Sequence, residues 1–535
     1  MTCEPAVPGG AVGPVPPPSR RFHLLRRAGI CVVLERPSVG LPMVLHWGRD
    51  LGELAEHDLA ELSVAVSRQT EPGTLDAAWQ LSILPEESEG WTGRPGLLAT
   101  RDGSPVFPRW HVTDVDGTQW SVIVRADDRS RTGGLQLESR IAIESGGIVT
   151  VRHAVTNGGV GSVSVEWLEA TLPVPKAVDH TTEFAGRWTR EKVPYTTRVL
   201  RGSHVRQTRR GRGGHDATNL LIASIDEPAD RYGELWAVHL GWSADTSYRT
   251  DRGPDAVQLI GAGELLRPGE IVLAPGDRYE TPVAYFANAC GLDGLSERFH
   301  RFLRARHQHP AGPRPLVLNT WEAVYFDHDP AFLSRLAELA ARVGVERFVL
   351  DDGWFMARRD DTRGLGDWLV DPAVWPRGLG PLADRVHELG MQFGLWFEPE
   401  MVNLDSDLAR THPDWLLHNP EHVPPAAGLS WRSQFVLDLA NPAAHAHVFG
   451  QMSRLVSELG IDFIKWDHNR DLVETMHEGR PGTHAQTLAV YRLIRQLKDA
   501  HPGLEIESCS SGGARTDLGI LEFTDRVWAS DSNDP

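Results

Sequence analysis

The amino-acid sequence predicts a multidomain α/β chain, an N-terminal β-sandwich followed by an incomplete (β/α)8 (TIM) barrel. Three observations carry this prediction. Apolar residues alternate with a period of two through the first half. From about Gly291, continuous apolar strands alternate with amphipathic helices. At 535 residues the chain also exceeds what a single hydrophobic core serves.

Residues 1–21 open as MTCEPAVPGGAVGPVPPPSR, rich in Pro and Gly, with neither an apolar core nor a charged leader. They read as a disordered tail rather than a signal peptide. The β-sandwich is expected over residues 22–288. There Leu135, Leu137, Ile141 and Ile143 alternate with polar residues, Ser145-Gly146-Gly147 supplies a turn, and Ile148, Val149, Val151 and Val155 resume the strand-like run. Glycine-rich breaks recur throughout and no long stretch keeps a helical period, which favours strands packed on strands.

Residues 289–315 form a connector: the charged helix GLDGLSERFHRFLRARH, then a stiff stretch from Pro310 to Pro315. The barrel is expected over 316–535. Its strands are read at Leu316–Leu318, Phe348–Leu350, Phe393–Phe397, Phe463–Lys465, Leu504–Glu507 and Arg526–Ala529. Between them, Asp329-Pro330 starts a helix whose face is Phe332, Leu336, Leu339 and Val343, ended by Gly344. Leu382, Val386 and Leu389 mark the next helix, closed by Gly390. Val448, Met452, Leu455 and Leu459, then Leu488, Tyr491 and Ile494, mark two more. Apolar strands in this alternation argue a parallel sheet and a barrel. About six of the eight strands precede Pro535. The expected barrel is therefore truncated, and two unpaired sheet edges would favour a poorly soluble, inactive fragment.

Composition excludes several function classes. A net charge of −18 and a pI near 5.7 are the wrong sign for tracking nucleic-acid phosphates. No run of eighteen apolar residues suits a membrane span. Cys3, Cys31, Cys290 and Cys509 are too scattered for a zinc site or a disulfide framework, which fits a reducing cytoplasm. Only four of the 54 basic residues are lysines, and one of them is Lys465.

Barrel enzymes carry their chemistry where strands end. Here the predicted ends read Trp321-Glu322, Asp351-Asp352, Glu398, Asp467 with Asn469, Cys509, and Asp531. A lone carboxylate at such a place is usually a helix cap or a surface charge; six ends behaving alike argue a site. With Trp321, Trp354, Trp396 and Trp466 nearby, a sugar site is expected, indole faces meeting C–H faces and carboxylates holding hydroxyls. A magnesium site is the competing reading of these acids, but Lys465 and Trp466 flank the central carboxylate and are poor company for a cation.

The runs FVLDDGWF, DDTRGLGDW, GLWFEPEMV, QFVLDL, FIKWDHNR and CSSGGARTDLG occur in this order between residues 316 and 535. Together they resemble the family 36 glycoside hydrolases, and the segment GRWTREK (Gly186 to Lys192) extends the resemblance into the β-rich part. The resemblance implies a retaining α-galactosidase acting on small-molecule galactosides by double displacement, without a cofactor or metal. It implies Asp467 as nucleophile, with Lys465 two residues earlier on the same strand face to keep it ionised. It implies Asp531 as acid/base, with Asp525 and Asp534 as neighbouring alternatives. Asp351 and Asp352 match the pair that holds galactose hydroxyls. Trp321, Arg432, Asn469, Cys509, Gly512 and Trp188 match substrate contacts, though Trp188 reads almost as well as a core tryptophan. Glu398 reads as a residue that orders the barrel mouth.

Two departures from the family pattern stand out. CSSGGARTD replaces CSSGGGRFD, placing Ala514 and Thr516 in the loop, and Arg432 sits in WRSQ rather than RNQ. Both put the leaving-group side in question. An α-N-acetylgalactosaminidase or a raffinose-type galactosyltransferase would use the same two aspartates. The resemblance also implies a homo-oligomer such as a tetramer for the full-length protein.

Overall fold

The computed structural model describes residues 21–532, apart from 68–69, 71, 74–75, 77–80, 132, 218, 254–256, 311 and 422–430. The expected tail up to residue 20 and the candidate Asp534 lie outside the described residues.

Period-two alternation becomes sheet where it was read. The strand Leu135–Ile143 buries Leu135, Leu137, Ser139, Ile141 and Ile143, and pairs antiparallel with Ser121–Asp128 on one side and Val149–Asn157 on the other. The turn between it and the next strand uses Gly146 and Gly147 at φ +78° and +79°, a conformation that disfavours side chains. These strands belong to a ten-stranded sheet, and a four-stranded sheet carries Ala170–Val174 and Gln258–Glu264. Val151, Val155, Leu172, Val238, Ile260 and Phe286, drawn from both sheets, share one buried core. One element departs from the reading, a helix at Glu56–Val66. It buries only Leu59 and Ser63, so it offers no apolar stripe from which a helical period could be read.

The helix Gly291–Ala305 leads into a six-stranded parallel sheet. Its strands are β1 (Val317–Asn319), β2 (Arg347–Leu350), β3 (Gln392–Phe397), β4 (Phe463–Trp466), β5 (Glu505–Ser508) and β6 (Arg526–Val527). They pair in sequential order, each parallel to the last, as barrel strands do. The helices are α1 (Pro330–Arg342), α2 (Gly380–Glu388), α3 (Pro442–Leu459) and α4 (Thr483–Ala500). Local chemistry sets their ends. Asp329 accepts from the backbone N–H of Ala331 at 2.8 Å and Pro330 occupies the first turn of α1, while Asn441 and Pro442 repeat the device on α3.

The expected apolar face of α1 is corrected. Phe332, Leu339 and Val343 are 40%, 49% and 76% exposed, and the residues packed on the sheet are Leu333, Ala337 and Ala340, with Leu336 half-buried. The helix has two apolar stripes, and the one bearing alanines lets its backbone approach the strands more closely. Leu488 of α4 is likewise exposed, whereas Tyr491 and Ile494 are buried. Among the described residues no helix is long and apolar enough to cross a membrane.

Candidate active site

All six barrel strands point their C-terminal ends at one region. Asp467 follows β4 and is buried. Its Oδ1 accepts from the backbone N–H groups of His468 (2.8 Å) and Ser511 (3.3 Å); its Oδ2 accepts from Asn469 Nδ2 (2.8 Å) and Trp396 Nε1 (3.2 Å). Burial works against its charge, but Lys465, Asn469, the His468 backbone and Arg432 outweigh burial and hold its carboxyl below the usual range. The result is a buried, ionised carboxylate fixed by four donors.

Lys465 acts on this carboxylate at a distance. Its direct ion pair is with Asp351 Oδ2 at 2.8 Å, and burial is outweighed there by Asp351, Cys509 and Asp467, so the ammonium keeps its proton. Asn319 also donates to Asp351 Oδ2. Asp352 has a different attachment. Arg358 grips both of its oxygens, Nε to Oδ1 at 2.9 Å and Nη2 to Oδ2 at 2.8 Å, and Arg432 Nη2 lies 3.9 Å from the same Oδ2. Arg358 is fully buried and was not singled out from sequence, because an arginine eight residues past the end of β2 looks like any surface charge.

Arg432 and Ser433 both adopt positive φ, +51° and +58°. Two consecutive non-glycine residues in the left-handed region are a strained turn, and it holds the guanidinium between Asp352 and Asp361. Cys509 is buried at the end of β5, its thiol pushed well up by burial and by Asp467, so it stands as a neutral group beside the nucleophile candidate. Trp321 begins a short helix after β1, half-buried and edge-on to Tyr325 and Phe326 at 5.1 Å.

The expected ring of sugar-facing tryptophans is corrected. Trp354, Trp396 and Trp466 are buried at 1% or less, so their faces pack in the core. They serve through their N–H groups: Trp396 to Asp467, Trp466 to Glu400 at 2.8 Å, and Trp354 to the carbonyl of Trp396 at 3.0 Å.

Asp531 lies beyond β6, partly buried. Burial raises its carboxyl and Asp467 raises it further, against the pull of Trp188 and Lys465. The two aspartates therefore have opposite tendencies, one held ionised and one pushed toward its protonated form. Asp525 is removed as a competitor: Lys498 Nζ binds both its oxygens at 2.6 Å and the Ile506 N–H donates to it, at the opposite end of the strands.

Trp188 is no core tryptophan. It is 55% exposed, at the turn between the antiparallel strands His180–Arg187 and Arg190–Arg198, and its Nε1–H donates to Asp531 Oδ2 at 2.9 Å. The N-terminal domain thus reaches the barrel rim. Gly512 lets this happen: it has φ +78°, and a Cβ there would meet Asp531 N at 2.8 Å and Glu191 Oε1 at 3.0 Å.

A second arm of the N-terminal domain runs beneath the loop 508–516. Arg212 donates to the carbonyl of His468 (2.7 Å), to Ser510 Oγ (2.8 Å) and to Asp471 Oδ1 (2.8 Å). The two residues that depart from the family pattern face this arm. The Gly214 N–H donates to the Ala514 carbonyl at 2.8 Å, and Asn219 Nδ2 donates to Thr516 Oγ1 at 2.9 Å. Both positions are thus engaged with the N-terminal domain, Ala514 through its backbone carbonyl and Thr516 through its hydroxyl. Glu398, fully buried, accepts from the Asn469 N–H and from Gln434 Nε2 (2.8 Å), so it orders the residue that orders Asp467.

Comparison with known proteins gives the family. The family described as Melibiase matches residues 278–535, and the Glycosyl hydrolase family 36 N-terminal domain matches residues 40–274. An alpha-galactosidase of Escherichia coli is 40% identical over 494 residues, covering 92% of this chain and 68% of that protein. Alpha-galactosidase AgaA of Geobacillus stearothermophilus is 33% identical over 407 residues, 74% of this chain and 55% of its own length. Among solved structures, the alpha-galactosidase of Lactobacillus brevis superposes with a TM-score of 0.87 at 27% identity, over 96% of this chain and 73% of that one. An AgaA variant solved in complex with raffinose gives 0.86 at 26% identity, over 96% and 75%.

Proposed function

We propose that this chain, which belongs to glycosyl hydrolase family 36, carries the catalytic machinery of a retaining α-galactosidase that removes terminal α-D-galactosyl residues from galactosides. Asp467 attacks the anomeric carbon as Asp531 gives its proton to the departing glycosidic oxygen. Asp531, now a carboxylate, then takes a proton from the water that attacks C1 of the galactosyl–Asp467 ester and releases Asp467. The single observation that carries this reading is the opposed electrostatics of the two aspartates. The first is ionised by Lys465 and four hydrogen-bond donors, and the second is raised by burial and by the first.

Around them, Asp351 and Asp352 accept from sugar hydroxyls. An epimer that leaves such a buried acceptor unpaired is rejected by its desolvation penalty. Trp321, Arg432, Asn469, Cys509, Gly512 and Trp188 complete the contacts. The raffinose complex of AgaA supports the substrate class. A homo-oligomer in the cytoplasm goes with the same reading, and light scattering on the purified protein measures the former.

Proton NMR of the first product tests the function. Hydrolysis of an aryl α-galactoside should release α-galactose, which then mutarotates. Initial release of the β-anomer would contradict double displacement.

A further inference from the structure

We propose that Glu191, on the N-terminal domain, is a positioning residue for the proton donor Asp531, holding the loop that carries it at working distance from the leaving group. The inference rests on the assignment of Asp531 as acid/base.

The strand β6 ends at Val527, and the Trp528 N–H still bonds the Ser508 carbonyl of β5 at 2.8 Å. Beyond that point Ser530 and Asp531 are each held by a side chain from the hairpin of the other domain. Ser530 Oγ donates to Glu191 Oε2 at 2.7 Å, and Trp188 donates to Asp531. The other oxygen of Glu191 accepts from the backbone N–H groups of Thr189 (3.3 Å) and Gly513 (3.4 Å), and Lys192 Nζ donates to the Gly513 carbonyl at 3.0 Å. One carboxylate therefore ties three segments together: its own turn, the glycine loop after β5, and the residue preceding Asp531. Thr189 and Lys192 take positive φ, +61° and +56°, so the turn is bent to present this side chain. Gly512 and Gly513 leave no room for a Cβ between hairpin and loop, as expected of surfaces in close register.

A general acid works only within hydrogen-bond reach of the oxygen it protonates, and a misplacement of about 1 Å can lower a rate by roughly 10²-fold. Departing groups that need a proton should therefore feel the loss of Glu191 far more than those that do not.

The test compares kcat/KM, which reports bond cleavage, for raffinose and for p-nitrophenyl α-galactoside in the full natural chain. Glu191→Ala should lose about 30- to 100-fold on raffinose and no more than about 5-fold on the nitrophenyl substrate. Ser530→Ala, which removes only the contact to the loop, should show the same bias. Glu191→Gln should recover most of the raffinose activity, since an amide can accept from Gly513 and donate to Ser530 Oγ. Equal losses on the two substrates would reduce Glu191 to general support and overturn the inference, as would the absence of loss on raffinose. A wild-type protein silent on both substrates would overturn the proposed function itself, and this inference with it.

Discussion

The indole N–H of Trp188 and the carboxylate of Asp531, 343 residues apart and on different domains, are joined by a 2.9 Å hydrogen bond. A donor on a carboxylate favours its charged form, so Trp188 holds the Asp531 pKa down against burial and Asp467. Trp188→Phe should let that pKa rise, and the basic limb of the kcat/KM profile should move to higher pH. The lost bond is worth about 1 kcal/mol, or roughly fivefold in kcat/KM at the optimum. A basic limb that stayed in place or moved down would contradict the contact.

Lys465 and Asp351 form a buried pair at 2.8 Å. Removing one partner of such a pair leaves the other charge uncompensated, at about 3–5 kcal/mol. Lys465→Met should therefore lose stability of that order in urea unfolding and lose nearly all turnover, because Asp467 loses the cation that most favours its charged form. Adding Asp351→Asn should recover part of the stability and none of the activity. A Lys465→Met enzyme that kept a tenth of wild-type kcat/KM would mean that the nucleophile does not need the ammonium.

The strands and their order were legible because barrel strands are buried on both faces and read as short apolar runs. The chemistry at their ends was legible because motif spacing is a one-dimensional signal. What sequence hid was direction. In α1, Phe332 and Val343 have the right period and the wrong side, since periodicity finds a stripe without saying what the stripe faces. The tryptophans were misread for a similar cause: composition puts indoles near carboxylates, yet only coordinates show that Trp396 offers its N–H and not its face. Arg358 and Arg212 were missed because each acts through a local turn or across a long separation that no periodic or motif signal marks; Glu191 lies inside the GRWTREK segment, but the segment alone does not say which of its residues crosses to the barrel loop.

Glu398 sits with its carboxyl pushed up to about 8, by burial first and by the charge of Asp467 second. An unfolded glutamate titrates near 4.3. Between about 4.3 and 8 the folded chain keeps a proton that the unfolded chain has released, so this group lowers stability as pH rises through that window. Glu398→Gln should remove that slope, and thermal melts at pH 5 and pH 8 should differ less than in the wild type. Once the Gln434 amide turns over, the new amide can accept from Asn469 and donate to Gln434 Oε1, which has no donor in the structure, so kcat/KM should stay within about tenfold. A variant as inactive as one lacking Asp467 would show that an ionised Glu398 is required.

The claim on which the rest depends is that Asp467 forms the covalent bond to galactose. Asp467→Gly should abolish hydrolysis of p-nitrophenyl α-galactoside by about 10³-fold or more, as loss of a nucleophile does. It also vacates the space opposite the leaving group while Asp531 stays in place. Azide added to this variant should restore nitrophenol release and accumulate β-galactosyl azide, identified by the anomeric coupling in its proton NMR spectrum. Formation of the α-azide, or a variant that still hydrolyses the substrate unaided, would contradict the assignment.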